Sequence, residues 1–388
     1  MNKLVNCGLE NRFGTNCLKW DGLKSRFGNE NLIAMWVADM DFKAPQPVID
    51  ALKERVNHGI FGYNIIPDSY YEAFINWEKE KHGYNVKKEW IRFSPGVVPA
   101  LFWFINILTN PGDSCIVMGP VYYPFHDAIK ENERKLIFNN LKNDNGIYTI
   151  DFEKFEEDII ENQVKLFILS SPHNPIGRVW TKEELKRVLD ICKANDVFVL
   201  ADEIHQDIII GDKKQIPAAT IGNYDDILVT LTAATKTFNL ASCQNSFVVI
   251  PNDEIREKFD KYYNSIGGDN GNVFGYIAVE AAYRYGEEWL KEILDKIRGN
   301  YEYTKSILSK HLPHVVVSPL EGTYLAWYDF SYYIEEKDIK NFFQEKCNLA
   351  VDYGIWFGET GKWHVRINLA TERKIVEGAM NNIIRSLT

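Results

Sequence analysis

Residues 164–207 read VKLFILSSPHNPIGRVWTKEELKRVLDICKANDVFVLADEIHQD, and this stretch decides the fold class. VKLFILS (164–170) and VFVLA (197–201) are short apolar, β-rich runs bounded by turn residues, the pattern of strands buried on both faces. Between them, TKEELKRVLDICKAND (181–196) places Thr181 as N-cap and Glu184 at the capping-box position, with apolar residues at 185, 188, 189 and 192 on one helical face. Strand, amphipathic helix and strand in this order predict a helix that crosses over a sheet.

Working outward, CIVM (115–118), KLIF (135–138), ILVTL (227–231) and SFVVI (246–250) repeat the strand pattern. From about residue 95 to 250 the chain therefore reads as α/β around a mostly parallel, buried sheet. After about residue 290 the pattern changes to a long helix, strand-like TYLAWYDF (323–330), a helix near 336–346, strand-like WHVRINLA (363–370) and a closing helix from about 372. That tail reads as a smaller α+β lobe, which the first 45 residues join. The expected division is a large domain over 46–290 and a small one from 1–45 and 291–388.

Composition agrees with a globular chain: 388 residues, 45% hydrophobic and 25% charged. A formal net charge of −10, with no basic stripe, argues against nucleic acid as a partner. The N-terminal MNKLVNCGLENRFG has no apolar secretory core, and no apolar run approaches the roughly 20 residues that span a bilayer. A cytoplasmic protein is expected. Cys7, Cys17, Cys115, Cys192, Cys243 and Cys347 are scattered, without a CxxC pair or zinc spacing, so no metal site is expected and the thiols read as reduced.

Ligands of open α/β sheets bind beyond the carboxyl ends of the strands, so polar residues there carry the functional reading. VFVLA runs into Asp202, ILVTL is followed by Thr232 and then Lys236, and VKLFILS runs into Ser171-Pro172-His173-Asn174-Pro175. An amine, a carboxylate and an amide delivered to one edge are what a pyridoxal 5'-phosphate site requires: an imine-forming lysine, an acid for the pyridine nitrogen and a donor for the ring oxygen. Ser94-Pro95-Gly96-Val97-Val98 before FWFINIL offers the backbone N–H groups of Gly96, Val97 and Val98 at a helix start, a phosphate cradle. Taken singly, each position has a plain alternative: a helix-entry turn, an N-cap for Asp202, a solvated surface lysine. Together they converge.

SSPHNPIGRVW (170–180), ADEIHQD (201–207), TKTFNLA (235–241) and WHVRINLAT (363–371) resemble, in order and spacing, the motifs of fold-type I PLP enzymes, the aspartate aminotransferase superfamily. More narrowly, MWVADMDF (35–42), FGY (61–63), PGVVPAL (95–101), PVYYPF (120–125) and DEIH resemble the PatB/MalY group of cystathionine β-lyase-like C–S lyases, over nearly the whole chain. The resemblance implies a large domain with a mostly parallel mixed sheet plus a smaller α+β domain. It implies Lys236 as the Schiff-base lysine, Asp202 against the pyridinium N–H, Asn174 on the ring oxygen with His205 nearby, and Tyr122 stacked on the ring. Thr232 and Thr235 join the cofactor contacts, and Tyr63 reaches the phosphate from a neighbouring subunit, so a homodimer with shared active sites is implied. Arg366 would clamp the substrate α-carboxylate bidentately, with Val37, Ala38, Asn174 and Tyr122 around the amino-acid substrate. The clamp also suits a strand on which Val365 and Ile367 point the other way, into the core.

Several positions depart from that pattern. Thr235 replaces the usual Ser before the lysine, Ala241-Ser242-Cys243 replaces an AGL-type continuation, and Gln244 stands where related aminotransferases carry a phosphate-binding Arg. Two other motifs are decoys. Asp39-Met40-Asp41 looks like a phosphatase DxD but leads through Phe42-Lys43-Ala44-Pro45 into a helix, and Gly358 to Lys362 is too short for a P-loop and reads as a loop.

The implied reaction is α,β-elimination from cystathionine or a related sulfur amino acid (cystine, cysteine) to a thiol, pyruvate and ammonia. Transamination is the alternative with the same motifs, and a PLP-binding regulator a third. Tyr123, Tyr63 and Lys236 are the candidates for protonating the departing sulfur. Tyr324 and Trp356 stand as candidates for specificity, or equally as core aromatics.

Overall fold

The computed structural model describes residues 10–268 and 271–388; Cys7 and the rest of residues 1–9 lie outside them. Its centre is a seven-stranded sheet. In spatial order the strands are Ile91–Ser94, Ser246–Val249, Leu228–Thr232, Phe198–Asp202, Val164–Ser170, Ser114–Gly119 and Lys135–Asn140. The last five pair in parallel, whereas Ser246–Val249 runs antiparallel to both its neighbours. Ser114–Gly119 and Leu228–Thr232 are buried at every residue, which is why these runs are apolar without alternation.

The crossover helix forms over Lys182–Ala194, between the strands Val164–Ser170 and Phe198–Asp202. The Thr181 hydroxyl accepts from the Glu184 N–H at 3.1 Å and the Glu184 carboxylate accepts from the Thr181 N–H at 2.8 Å, so two orphan donors of the helix start are satisfied. Leu185, Val188, Leu189, Ile191 and Cys192 are buried on its inner face. Cys115, Cys192 and Cys347 are buried thiols and none of the described cysteines is paired.

The edge strand Ile91–Ser94 was not expected, because four residues carrying an arginine show no periodicity; Arg92 forks onto Asp260 at 2.5 and 2.7 Å instead. Further along, the helix Glu287–His311 leads to an antiparallel four-stranded sheet of Val316–Val317, Leu325–Asp329, His364–Asn368 and Asp352–Tyr353, closed by the helix Arg373–Leu387. The helix expected near 336–346 is broken into a 3-10 turn, a short α segment and a π turn. No helix among the described residues is long and apolar enough to cross a membrane.

The segment 35–42 is a strap between the two sheets. Asn368 Nδ2 donates to the carbonyls of Val37 and Asp39 at 2.8 and 2.6 Å, and Asn239 Nδ2 donates to those of Met40 and Phe42 at 3.0 and 2.9 Å. Asp41 is fixed by Lys19, Trp20 and Arg12 at 2.8, 3.0 and 2.7 Å, and Arg12 also holds Asp39. The DxD pair is thus tied into structural ion pairs.

Candidate active site

Register decides what meets at the sheet edge. Ser170 lies opposite Asp202 and Asp202 opposite Leu231, so three parallel strands end flush. The antiparallel neighbour brings its starting residue, Ser246, to the same edge, paired with Ser94. Beyond this edge lies a cleft. Of the expected residues, Ala38, Gly96, Val97, Val98, Tyr122, Asn174, Asp202, His205, Thr235 and Lys236 line it.

Lys236 sits on the one-turn helix Ala234–Thr237 that follows the strand Leu228–Thr232. Its amine donates to the carbonyl of Ala38 on the strap at 2.6 Å. Burial, reinforced by the charge of Arg366 and opposed by Asp39 and Asp202, lowers its pKa to about 8. Asp202 is pushed up to about 7, above all by burial, against the Ile204 N–H at 3.1 Å and the charge of Lys236. It makes no salt bridge among the described residues, which makes it a buried carboxylate suited to a cationic donor.

The helix Val97–Leu108 begins at Gly96 with no side-chain cap. Pro99 in its first turn has no N–H to offer, so the open donors at the cleft are those of Val97 and Val98. Burial and the charges of Lys236 and Arg366 keep His205 neutral, and its Nδ1 is buried without a partner. Asn174 uses Oδ1 to accept from Arg366 at 2.8 Å, and its amide N–H2 donates to no group among the described residues. These groups suit pyridoxal phosphate: an amine, an uncompensated acid, an amide donor and an uncapped helix start for a phosphate.

Five expected residues do not line the cleft. Arg366 is buried one step behind it, held between Asn174 and Asp352 and lying over the ring of Phe357. Thr232 turns its hydroxyl back to the Glu203 carbonyl at 3.4 Å. Val37 packs against the Trp20 and Leu23 cluster while its carbonyl accepts from Asn368, and Tyr123 packs against Tyr122, Trp356 and Phe357. Tyr63 is fully exposed on the segment after Gln46–His58, beside exposed Ile60, Phe61 and Ile65.

Sequence reasoning missed Asp352. It is fully buried, pairs with Arg366 across the small sheet, and its second carboxylate oxygen has no partner. The signal was present: an acid inside the apolar run LAVDYG must find a buried cation. Tyr324, left undecided above, proves to be a strap contact, its hydroxyl donating to the Ala38 carbonyl at 2.9 Å.

Comparison with known proteins gives a consistent picture. The profile of the family "Aminotransferase class I and II" matches residues 30–383. Cystathionine beta-lyase PatB of Bacillus subtilis (strain 168) is 37% identical over 381 residues, 98% of each chain. Among solved structures, cystalysin from Treponema denticola, which contains pyridoxal 5'-phosphate, superposes with TM-score 0.93 at 35% identity over 97% of both chains. The PLP-bound C-S lyase from Staphylococcus hominis gives 0.92 at 34% identity, over 98% of this chain and 97% of that one.

Proposed function

The chain belongs to the class I and II aminotransferase family, and from that premise we propose a pyridoxal-phosphate-dependent C–S β-lyase that cleaves cystathionine or related sulfur amino acids. The observation that carries the reaction type is the whole-length likeness to carbon–sulfur lyases, since the polar groups of the cleft serve elimination and transamination alike. The net reaction takes a thioether of cysteine and one water to a thiol, pyruvate and ammonium: the Cα–H, Cβ–S and Cα–N bonds break, water supplies the keto oxygen, and the proton needed by sulfur is supplied by the protein.

In this reading Lys236 holds the cofactor, Asp202 faces its ring nitrogen, Asn174 and His205 its ring oxygen, Tyr122 its face, and Gly96, Val97, Val98 and Thr235 its phosphate. Thr232 supports from behind through Glu203. When bound, pyridoxal phosphate withdraws the electron pair left at Cα. Burial lowers the pKa of the Lys236 amine, which favours the unprotonated form that can take the Cα proton. A cationic N–H beside Asp202 would draw that carboxyl back to its charged form.

Arg366, pinned by Asn174 and Asp352, receives the α-carboxylate, and the Val37-Ala38 main chain closes the opposite side. Burial, with Asp352 nearby, holds the Tyr123 hydroxyl above its ordinary pKa, so it stays protonated and fits the donor to the departing sulfur. The exposed apolar segment around Tyr63 supports a homodimer in which Tyr63 enters the neighbour's site. The reading also includes a large cofactor domain over 46–290, a small one of 1–45 and 291–388, and a cytoplasmic location.

The test is equimolar release of thiol and pyruvate from L-cystathionine with no keto acid present. Amino-group transfer that requires an added keto acid, without thiol, would replace the lyase by an aminotransferase.

A further inference from the structure

A row of aromatic side chains leads away from the cleft. From Tyr122, which lines it, an aromatic wall continues through Tyr123 (ring centroids 5.4 Å apart) to Trp356 (6.1 Å). At the far end the guanidinium of Arg26 lies 4.6 Å above the Trp356 ring, and Tyr353 braces the same indole edge-on at 5.1 Å. The cation is exposed at the protein surface.

Several other cations are committed to partners. Arg366 is buried between Asn174 and Asp352, Arg12 and Lys19 hold Asp39 and Asp41, and Lys362 pairs with Glu359. Arg26 makes no ion pair and no side-chain hydrogen bond among the described residues, yet its charge reaches both Tyr123 and Asp352. A guanidinium stacked on an indole keeps its in-plane N–H donors directed outward, the arrangement that takes up a carboxylate.

We propose that Arg26, seated on Trp356, is the receptor for a second carboxylate, the one borne by the departing sulfur fragment, a thiol from a thioether and a persulfide from a disulfide. The preferred substrates are then cysteine thioethers or disulfides whose sulfur carries another amino acid, cystathionine and cystine, over simple S-alkyl cysteines. This deepens the lyase reading and rests on it: Arg366 serves the α-carboxylate next to the reacting carbon, Tyr123 stands midway where the sulfur departs, and Arg26 fixes the distal end. Because the contact is exposed, salt should screen it.

The experiment compares kcat/KM for L-cystathionine and S-ethyl-L-cysteine in wild type, Arg26→Ala and Arg26→Lys. The expected result is that the ratio of the two falls about tenfold in Arg26→Ala, through KM for cystathionine, and is partly restored by Arg26→Lys. Added sodium chloride should lower the ratio in wild type and leave it flat in Arg26→Ala. A ratio unchanged by Arg26→Ala overturns the proposal.

A second arm needs no cleavage. Calorimetric binding of L-2-aminopimelate, which has a distal carboxylate, is compared with that of L-norleucine, which has none; neither carries a sulfur to lose. Tighter binding of aminopimelate that disappears in Arg26→Ala supports the distal receptor even where no thiol is released, and equal binding of both by wild type overturns it. Failure of the lyase reading, seen as no thiol from either thioether, is thereby told apart from failure of the Arg26 assignment.

Discussion

Asp202 and Glu203 are neighbours in the chain, are both buried, and have opposite fates. Asp202 faces the cleft, accepts from one backbone N–H and makes no salt bridge among the described residues. Glu203 turns inward, accepts from the Ala218 N–H at 2.7 Å, and belongs to a polar cluster with Glu78, His82, Gln206 and Asp207. In that cluster Asp207 accepts from His82 at 2.7 Å, Trp77 at 2.9 Å and Thr237 at 2.7 Å, the last being the residue after Lys236. The difference is one of place: the Glu203 cluster is enclosed by protein and its pairs hold the fold together, whereas the Asp202 carboxylate opens on a cleft where a ligand can complete it.

The comparison is broken first at its most exposed point. Lys236→Ala should lower pyruvate release from cystathionine by at least about a thousandfold while the thermal midpoint stays close to wild type, because the lysine serves the ligand and not the packing. Loss of folding in this variant would place Lys236 with the closed cluster instead. Arg366→Lys comes next: a point charge replaces a fork already shared by Asn174 and Asp352, and kcat/KM should fall about a hundredfold, mostly through KM. A loss confined to kcat would remove Arg366 from substrate binding.

The inward cluster should give the mirror image. Asp207→Asn leaves His82 charged and buried with a weakened partner, so stability should drop by about 3 kcal/mol in urea unfolding. The kcat of the surviving folded enzyme should change less than about threefold. A large kcat loss without destabilisation would mean that Asp207 acts on Lys236 through Thr237.

The smallest expected effect is on pH dependence. Burial pushes Glu203 to about 8 and Glu78 to about 7. For His82 burial opposes the charge, but Asp207, Glu78 and Glu203 outweigh it and raise the pKa to about 9. All three folded values lie above the unfolded ones, 4.5 for Glu and 6.5 for His, so the folded chain holds protons that the unfolded chain has released. This stabilisation is fully present below the unfolded values and is lost as pH rises toward 9. The thermal midpoint should therefore decline between pH 5 and 9, and less steeply in Glu203→Gln. A midpoint that climbs across this range would show the cluster to be ionised throughout.

Much of this was legible in the chain because the central sheet is built from local rules. The runs 164–170 and 197–201, with a capped helix between them, state their pairing in sequence, and the polar residues at their ends follow from where strands stop. Asp352 was not legible as a partner, because the contact that gives it meaning lies 14 residues along and across two strands. Nor was the broken helix at 336–346, where apolar spacing persists through a π turn. Arg26 carries no motif; only the placement of Trp356 beneath it, and the lack of a counter-ion among the described residues, single it out.

The central claim, that the open end of the cleft is completed by a cofactor on one lysine, is tested most directly by reducing the pyridoxal-phosphate-loaded protein with borohydride and mapping the modified peptide. The account predicts one phosphopyridoxyl group per chain, on Lys236. Modification spread over surface lysines, or a single adduct elsewhere, would contradict it.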